Sequence, residues 1–224
     1  MSNLFTSEKH EILSPEWVVN LPAARYAAQL LVVAGLTMDS TDAMVSMHEK
    51  TADGRWKQIL STPALIGRDG MCVAQEHSEG CVKTPIGTYH FTRAFGIAED
   101  PGCAIPYTQV DDNAYWSGDF RAGMHYNELV DIREFPDLDM KYSEHITQCG
   151  HAYRYCLNIS FNEEGTPGRG SAIFLHCTSP RGTYTEGCVA IPENIMKQVL
   201  QNVREDCTVV IDTLRNLGAI FHIE

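Results

Sequence analysis

One cysteine and one histidine in the last third of the chain have the types and spacing that nucleophilic catalysis requires. Residues 170–192 read GSAIFLHCTSPRGTYTEGCVAIP, and eleven residues separate His176 from Cys188. A cysteine thiol has a reference pKa of about 8.5, so a neighbouring imidazole is needed to supply thiolate at neutral pH. The pair therefore predicts a thiol nucleophile, Cys188, with His176 as its general base.

The backbone around these residues is expected to hold them at a cleft. Apolar residues 172–175 predict a strand that ends at His176, which places the imidazole on rigid backbone. Gly187 permits a tight turn and a close approach of substrate to the main chain. The amide groups of Gly187 and Cys188 are then candidates for stabilising an oxyanion.

Taken alone, the pair is a weak signal. The chain has nine histidines and eight cysteines, so a pair at this spacing also arises by chance. On the chemistry alone, Cys188 is as readily a core thiol, and His176 a hydrogen-bonded strand end.

Three further segments strengthen the catalytic interpretation. They are residues 83–89 (KTPIGTY), 126–130 (YNELV) and 170–176 (GSAIFLH). Together with the cysteine segment they resemble a divergent branch of the L,D-transpeptidase catalytic domain family, often called YkuD. The resemblance extends from about residue 29 to about residue 200. Several motifs in one order are much more specific than a single one, so they favour family membership over a chance pair.

The catalytic block of that family aligns with this chain residue by residue. Its strand-end histidine corresponds to His176. Its Ser/Thr-His-Gly-Cys block corresponds to Thr185, Glu186, Gly187 and Cys188. A glutamate thus stands where the family has its second histidine.

The resemblance implies a fold and a reaction. The fold is mainly β, a curved β-sandwich of mixed sheets with a few helices, formed by residues 27–224 after a lead-in of residues 1–26. In the implied reaction, Cys188 attacks the amide between an L-centred diamino acid and the terminal D-Ala of a peptidoglycan stem peptide. The resulting thioester is resolved by an amine or by water. The base, His176, would be oriented through the backbone carbonyl of Cys177.

Substrate binding is less well defined by the resemblance. It implies contacts from Thr185, Tyr126 and Asn127. The arginine that usually follows the catalytic block is replaced by Ala190. Arg181, in the loop between the histidine and the cysteine, is a candidate substitute for holding a substrate carboxylate.

Glu186 has three interpretations. A carboxylate two residues before the nucleophile disfavours the thiolate, unless it is protonated or paired with a cation. It could instead orient His176 as the third member of a triad. It could also point to solvent.

Other functions stay open at this level. One is an L,D-carboxypeptidase or amidase that hydrolyses the same kind of bond, and another is a non-catalytic module that binds cell wall. A third is a metal-dependent hydrolase built on His145, His151 and the nearby Cys149 and Cys156, although their spacing matches no common structural zinc pattern. The expected reaction needs no cofactor.

Composition excludes some classes of partner. The net charge is −12 and no Lys/Arg cluster occurs, which argues against nucleic-acid binding. The longest apolar run, residues 27–36, is far shorter than the roughly 20 residues of a membrane span. Peptidoglycan peptides are the expected partner. The resemblance implies a cell-envelope location, whereas the lack of a clear export signal leaves the cytoplasm open. The sequence is silent on oligomeric state.

Local patterns predict a β-rich chain with one clear helix. In the helix, residues 192–204, the apolar positions recur with helical period. Strands are predicted at residues 29–34, 43–48, 56–60, 88–95, 153–161, 172–175, 207–212 and 219–223.

Overall fold

The computed structural model describes residues 11–220, most of whose regular structure is β-strand. The two α-helices are α1 (Glu16–Val19) and α2 (Glu193–Asn202), and 3₁₀ turns lie at Pro22–Arg25, Ala74–Glu76 and Ile146–Arg154. The strands are β1 (Gln29–Gly35), β2 (Asp42–Lys50), β3 (Trp56–Leu65), β4 (Met71–Val73), β5 (Thr84–Gly96), β6 (Tyr107–Gln109), β7 (Ala114–Trp116), β8 (Leu129–Asp131), β9 (Glu144–His145), β10 (Cys156–Ile159), β11 (Phe174–Cys177), β12 (Val189–Ile191) and β13 (Thr208–Thr213).

Eight of these strands form a ladder that closes on itself. The order is β10-β11-β12-β3-β2-β1-β13-β5, and β10 also pairs with β5. Within this ring, β1–β13 and β11–β12 are parallel and the other pairs are antiparallel. A separate small sheet has the order β8-β7-β9. The expected mainly-β fold of mixed strands is confirmed, and the closure through β10 adds to it.

Strand β1 is buried at every position because both of its faces are covered. Leu31 and Val33 face the interior of the ladder. Leu30 and Val32 pack on the other side against apolar residues of α1 and the 3₁₀ turn that follows it. The described part of the lead-in is thus partly helical and packed on the sheet, whereas residues 1–10 lie outside the described residues.

The predicted elements differ from the observed ones mainly at their ends. The predicted helix corresponds to α2, with Pro192 immediately before it. The strand predicted from residue 172 begins at Phe174, because Ala172 has a φ of +57°, in the left-handed region. Of the strand predicted at 219–223, Ala219 and Ile220 are not part of a strand, and the rest lies outside the described residues.

The polar segment between β5 and β10 covers one side of the ladder. Its sheet packs on the ladder through aromatic rings: Trp116 stacks on Phe95 at 5.6 Å between centroids and meets Phe174 edge-to-face at 4.7 Å. This packing fixes the segment beside the start of β11, where it forms a wall of a cavity.

Candidate active site

The parallel pairing of β11 and β12 places His176 and Cys188 on one face of the sheet. His176 lies opposite Ala190 in the register. Cys188 continues that register opposite Phe174, whose backbone N–H donates to the Cys188 sulfur at 3.3 Å. Since alternate residues of a strand point to the same face, Cys188 and His176 project from the same face of the sheet. They lie on neighbouring strands, two positions apart in the register.

His176 is held in the form that a general base needs. Its Nδ1 donates to the carbonyl oxygen of Cys177 at 2.9 Å, which leaves Nε2 as the proton acceptor of a neutral ring. Burial lowers the pKa of His176 to about 4, so the ring is neutral at pH 7. The ring of Tyr153 packs edge-on against it at 5.4 Å between centroids.

Cys188 rests as a protonated thiol. Its sulfur donates to the carbonyl oxygen of Ala172 at 3.1 Å, and only 8% of the residue is exposed. Burial, followed by the charge of Glu144, raises the thiol pKa far above its usual value. Within the described residues, no hydrogen bond joins this sulfur to His176, so formation of the ion pair requires the side chain to turn away from Ala172.

Both residues line a cavity of about 340 Å³. Three glutamates, Glu79, Glu144 and Glu186, contribute to its walls, and no lysine or arginine of the described residues does. The cavity is therefore negatively charged and presents no cation to a substrate carboxylate.

Glu144 and Tyr153 are site residues that sequence reasoning missed. The Tyr153 hydroxyl donates to Glu144 Oε2 at 2.6 Å. Burial raises the pKa of Glu144, and the charges of Glu186 and Glu79 add to this while the Tyr153 hydrogen bond opposes it. Both lie in or next to the polar segment between β5 and β10, and no local motif in the sequence singles them out.

Hydroxyl groups brace the turn that carries Cys188. Thr185 Oγ1 donates to the Cys188 carbonyl at 2.6 Å and accepts from the Gly187 N–H at 3.3 Å. Thr84, from the upstream KTPIGTY segment, donates to the same carbonyl at 3.3 Å. Gly187 has a φ of +126°, and a Cβ there would lie 3.2 Å from the carbonyl oxygen of Lys83. The two sequence motifs therefore meet at one turn.

Two other residues predicted for the site, Glu186 and Arg181, are both exposed. Glu186 is exposed at the cavity. Within the described residues it makes no hydrogen bond to His176, because Nδ1 of His176 already donates to the Cys177 carbonyl. Arg181 is exposed and does not line the cavity. Contact of Arg181 with a substrate stays a prediction.

Tyr126 and Asn127 are buried behind the cavity wall rather than in it. The Tyr126 hydroxyl donates to Glu79 and accepts from the Gly170 N–H. The amide of Asn127 is bonded entirely within the protein. Their expected role as direct substrate contacts is therefore not favoured by this placement.

The histidines considered for a metal site make separate contacts. His145 Nε2 bonds to the Asp112 carbonyl and its ring stacks on Tyr115, while His151 pairs with Glu193 at 3.6 Å. Across residues 11–220, no three His, Cys, Asp or Glu side chains are grouped to hold a metal ion. In the same range, no helix has the length and apolar character needed to cross a membrane.

Comparison with known proteins identifies the family. The model of the YkuD L,D-transpeptidase catalytic domain matches residues 41–211. Among solved structures, the chain is similar to the helical cell shape determining protein Pgp2 from Campylobacter jejuni, with 16% identity, a TM-score of 0.42, and coverage of 83% of this chain and 48% of that one. A second is the Ldtfm–avibactam carbamoyl enzyme, with 12% identity, a TM-score of 0.35 and the same coverage.

The chain thus spans about half the length of these two proteins. No curated protein matches it. The family match covers well over half of the chain and includes both the β11 strand and the Cys188 turn. The chain therefore belongs to the YkuD family of L,D-transpeptidase catalytic domains.

Proposed function

We propose that this protein is a cysteine acyltransferase that acts on the bond between an L-centred diamino acid and a terminal D-Ala in peptidoglycan stem peptides, in the cell envelope. The observation that carries the proposal is the arrangement of His176. Its Nδ1 is fixed on the Cys177 carbonyl, its ring is neutral, and it shares a cavity and a sheet face with Cys188.

In the first half of the reaction, the thiol of Cys188 gives its proton to Nε2 of His176. The sulfur attacks the carbonyl carbon of the scissile amide, and the oxyanion collapses as the C–N bond breaks. His176 returns the proton to the leaving nitrogen, so D-Ala departs as a free amine and a thioester remains on Cys188.

In the second half, an amine of another stem attacks the thioester and gives up a proton to His176. The C–S bond breaks, and the proton returns to the sulfur. Transfer to the amine makes a cross-link, whereas attack by water would trim the stem and make the protein an L,D-carboxypeptidase.

The negative charge of the cavity favours binding of positively charged substrate groups. Glu79, Glu144 and Glu186 favour an ammonium group over a carboxylate, because no cation lines the walls formed by the described residues. The free amine of a diamino acid, or the amine of an acyl acceptor, has that charge.

The deciding experiment incubates the protein with a tetrapeptide stem, with and without an amine acceptor, and analyses products by mass spectrometry. We expect release of D-Ala and, with acceptor, a new amide product. Hydrolysis alone would identify the carboxypeptidase, and binding without any product would identify a non-catalytic wall-binding module.

Cys149 provides a matched control, because it is one of two further thiols, with Cys81, that line the same cavity. Cys188→Ala should abolish both products, and Cys149→Ala should retain them. The reverse pattern would show that the nucleophile has been assigned to the wrong thiol.

A further inference from the structure

Asn127 uses its whole amide group to join three parts of the protein. Oδ1 accepts from the Trp116 indole at 2.9 Å and from the Ala172 N–H at 3.0 Å. Nδ2 donates to the carbonyls of Phe161 at 3.1 Å and Asn162 at 2.9 Å. An amide side chain has two donors and two lone pairs, so no group is left to bind a substrate.

Ala172 is held in a conformation that alanine rarely adopts. Its φ is +57°, and the residue is buried two positions before the start of β11. A left-handed alanine persists only where its surroundings fix it. The bond from its N–H to Asn127 is one such restraint.

The left-handed backbone turns the Ala172 carbonyl onto the candidate nucleophile. The sulfur of Cys188 donates to this oxygen at 3.1 Å and accepts from the Phe174 N–H at 3.3 Å. A carbonyl acceptor stabilises the protonated thiol, whereas an N–H donor stabilises the thiolate. The orientation of Ala172 thus affects both the position and the protonation of the sulfur.

We propose that Asn127 is a positioning residue for Cys188, acting through the backbone of Ala172. It fixes the carbonyl that keeps the thiol protonated and seated beside β11 until a substrate enters. The role of this arrangement in turnover rests on the proposed function, but its effect on the thiol does not.

The test compares Asn127→Gly with Asn162→Gly. Asn162 is a matched control because it is equally buried, has a φ of +50°, and also bonds backbone carbonyls through Nδ2, at Thr166 and Gly170. Glycine tolerates the left-handed backbone at both positions. The readout is the rate of iodoacetamide alkylation at Cys188 over a series of pH values, measured by peptide mass spectrometry.

For Asn127→Gly we expect the alkylation profile to move to lower pH, and the rate at neutral pH to rise by about 3- to 10-fold, which corresponds to the loss of one hydrogen bond. Asn162→Gly should follow the wild-type profile. The titratable groups around the sulfur are the same in both variants, so the comparison isolates the effect of the substitution; they are Glu144, Glu186, Cys149, Cys156, Tyr153 and His176.

An Asn127→Gly profile that coincides with wild type would overturn the proposal, and so would equal shifts in both variants. Circular dichroism and thermal unfolding verify that each variant is folded. Should Asn127→Gly not fold, Ala172→Gly relaxes the same carbonyl, and an unshifted profile there overturns the proposal. On a peptide substrate, Asn127→Gly should also lower kcat, in contrast to its faster alkylation. If the wild type lacks peptide turnover, the proposed function fails while the alkylation comparison still decides this inference.

Discussion

The two parallel strand pairs of the ladder each carry a cysteine at the same place. Cys188 immediately precedes β12, and Cys207 immediately precedes β13. The β1–β13 pair aligns six positions and the β11–β12 pair only three. Cys207 is fully buried within the interior core, whereas Cys188 lies on a cavity beside His176. The same local position therefore faces a cavity at the shorter strand pair and is sealed in the core at the longer one.

The largest effect is expected when each of these two cysteines is replaced with alanine. Cys188→Ala should lower turnover by about 10³-fold or more, because it removes the proposed nucleophile. Cys207→Ala should keep turnover and lower the free energy of unfolding by about 1 kcal/mol, because it leaves a small void in the core. Peptide turnover and chemical denaturation measure the two effects. Loss of turnover in the Cys207 variant at normal stability would contradict the comparison.

A second test separates His176 from His48, another buried histidine whose pKa is lowered by burial. His176→Asn keeps a donor near the Cys177 carbonyl but removes the base, so kcat should fall by about 10²- to 10⁴-fold. Among the described residues, the ring of His48, on β2 beside β1, hydrogen-bonds only to Ser14 and Ser46, so His48→Asn should leave kcat near wild type. Steady-state kinetics on a stem peptide measures both. Equal losses in kcat would assign the effect to folding rather than to proton transfer.

The sequence predicted the parts of this comparison that depend on local pattern. A continuous apolar run located β1, which is buried on both faces, and helical period located α2, which buries one face. The pairing of His176 with Cys188 needed the family motifs, since nothing local specifies that β11 and β12 run parallel.

Long-range contacts explain what the sequence did not predict. Glu144 reaches the cavity because a separate sheet packs on the ladder through Trp116, which no local pattern encodes. Ala172 lies in a run of apolar residues that predicts a strand, yet its left-handed backbone and its tertiary hydrogen bonds hold it out of the strand. Asn127 was expected to contact substrate, whereas its side chain accepts a hydrogen bond from the Ala172 N–H, whose carbonyl in turn accepts from Cys188.

Acid should destabilise both histidine regions in the same pH window. Burial lowers the folded-state pKa of His48 and of His176 to about 4, whereas the unfolded value is about 6.5. The unfolded chain therefore binds protons first, and stability is complete above about pH 6.5 and lost as the pH falls toward 4, by up to about 3 kcal/mol for each histidine. Chemical denaturation at several pH values measures the slope. Each single Asn variant should flatten it, and an unchanged slope in both would contradict the assignment.

The smallest expected effect concerns the carboxylates beside the two cysteines. Burial is the largest cause of the raised pKa of both cysteines. The next cause is the charge of Glu144 for Cys188 and the charge of Asp206 for Cys207. Glu144→Gln should therefore speed alkylation of Cys188 at neutral pH by about 3- to 10-fold, because removing a nearby negative charge favours the thiolate. Asp206→Asn should leave Cys207 unreactive, because that sulfur has no opening to solvent.

Peptide-resolved alkylation of both variants separates charge from access. Equal acceleration at both cysteines would mean that charge alone sets reactivity, and that the cavity at the end of β11 and β12 is not what distinguishes Cys188. Acceleration at Cys188 alone would show that the open end of the short strand pair admits the reagent and that Glu144 sets the charge state of the thiol it meets.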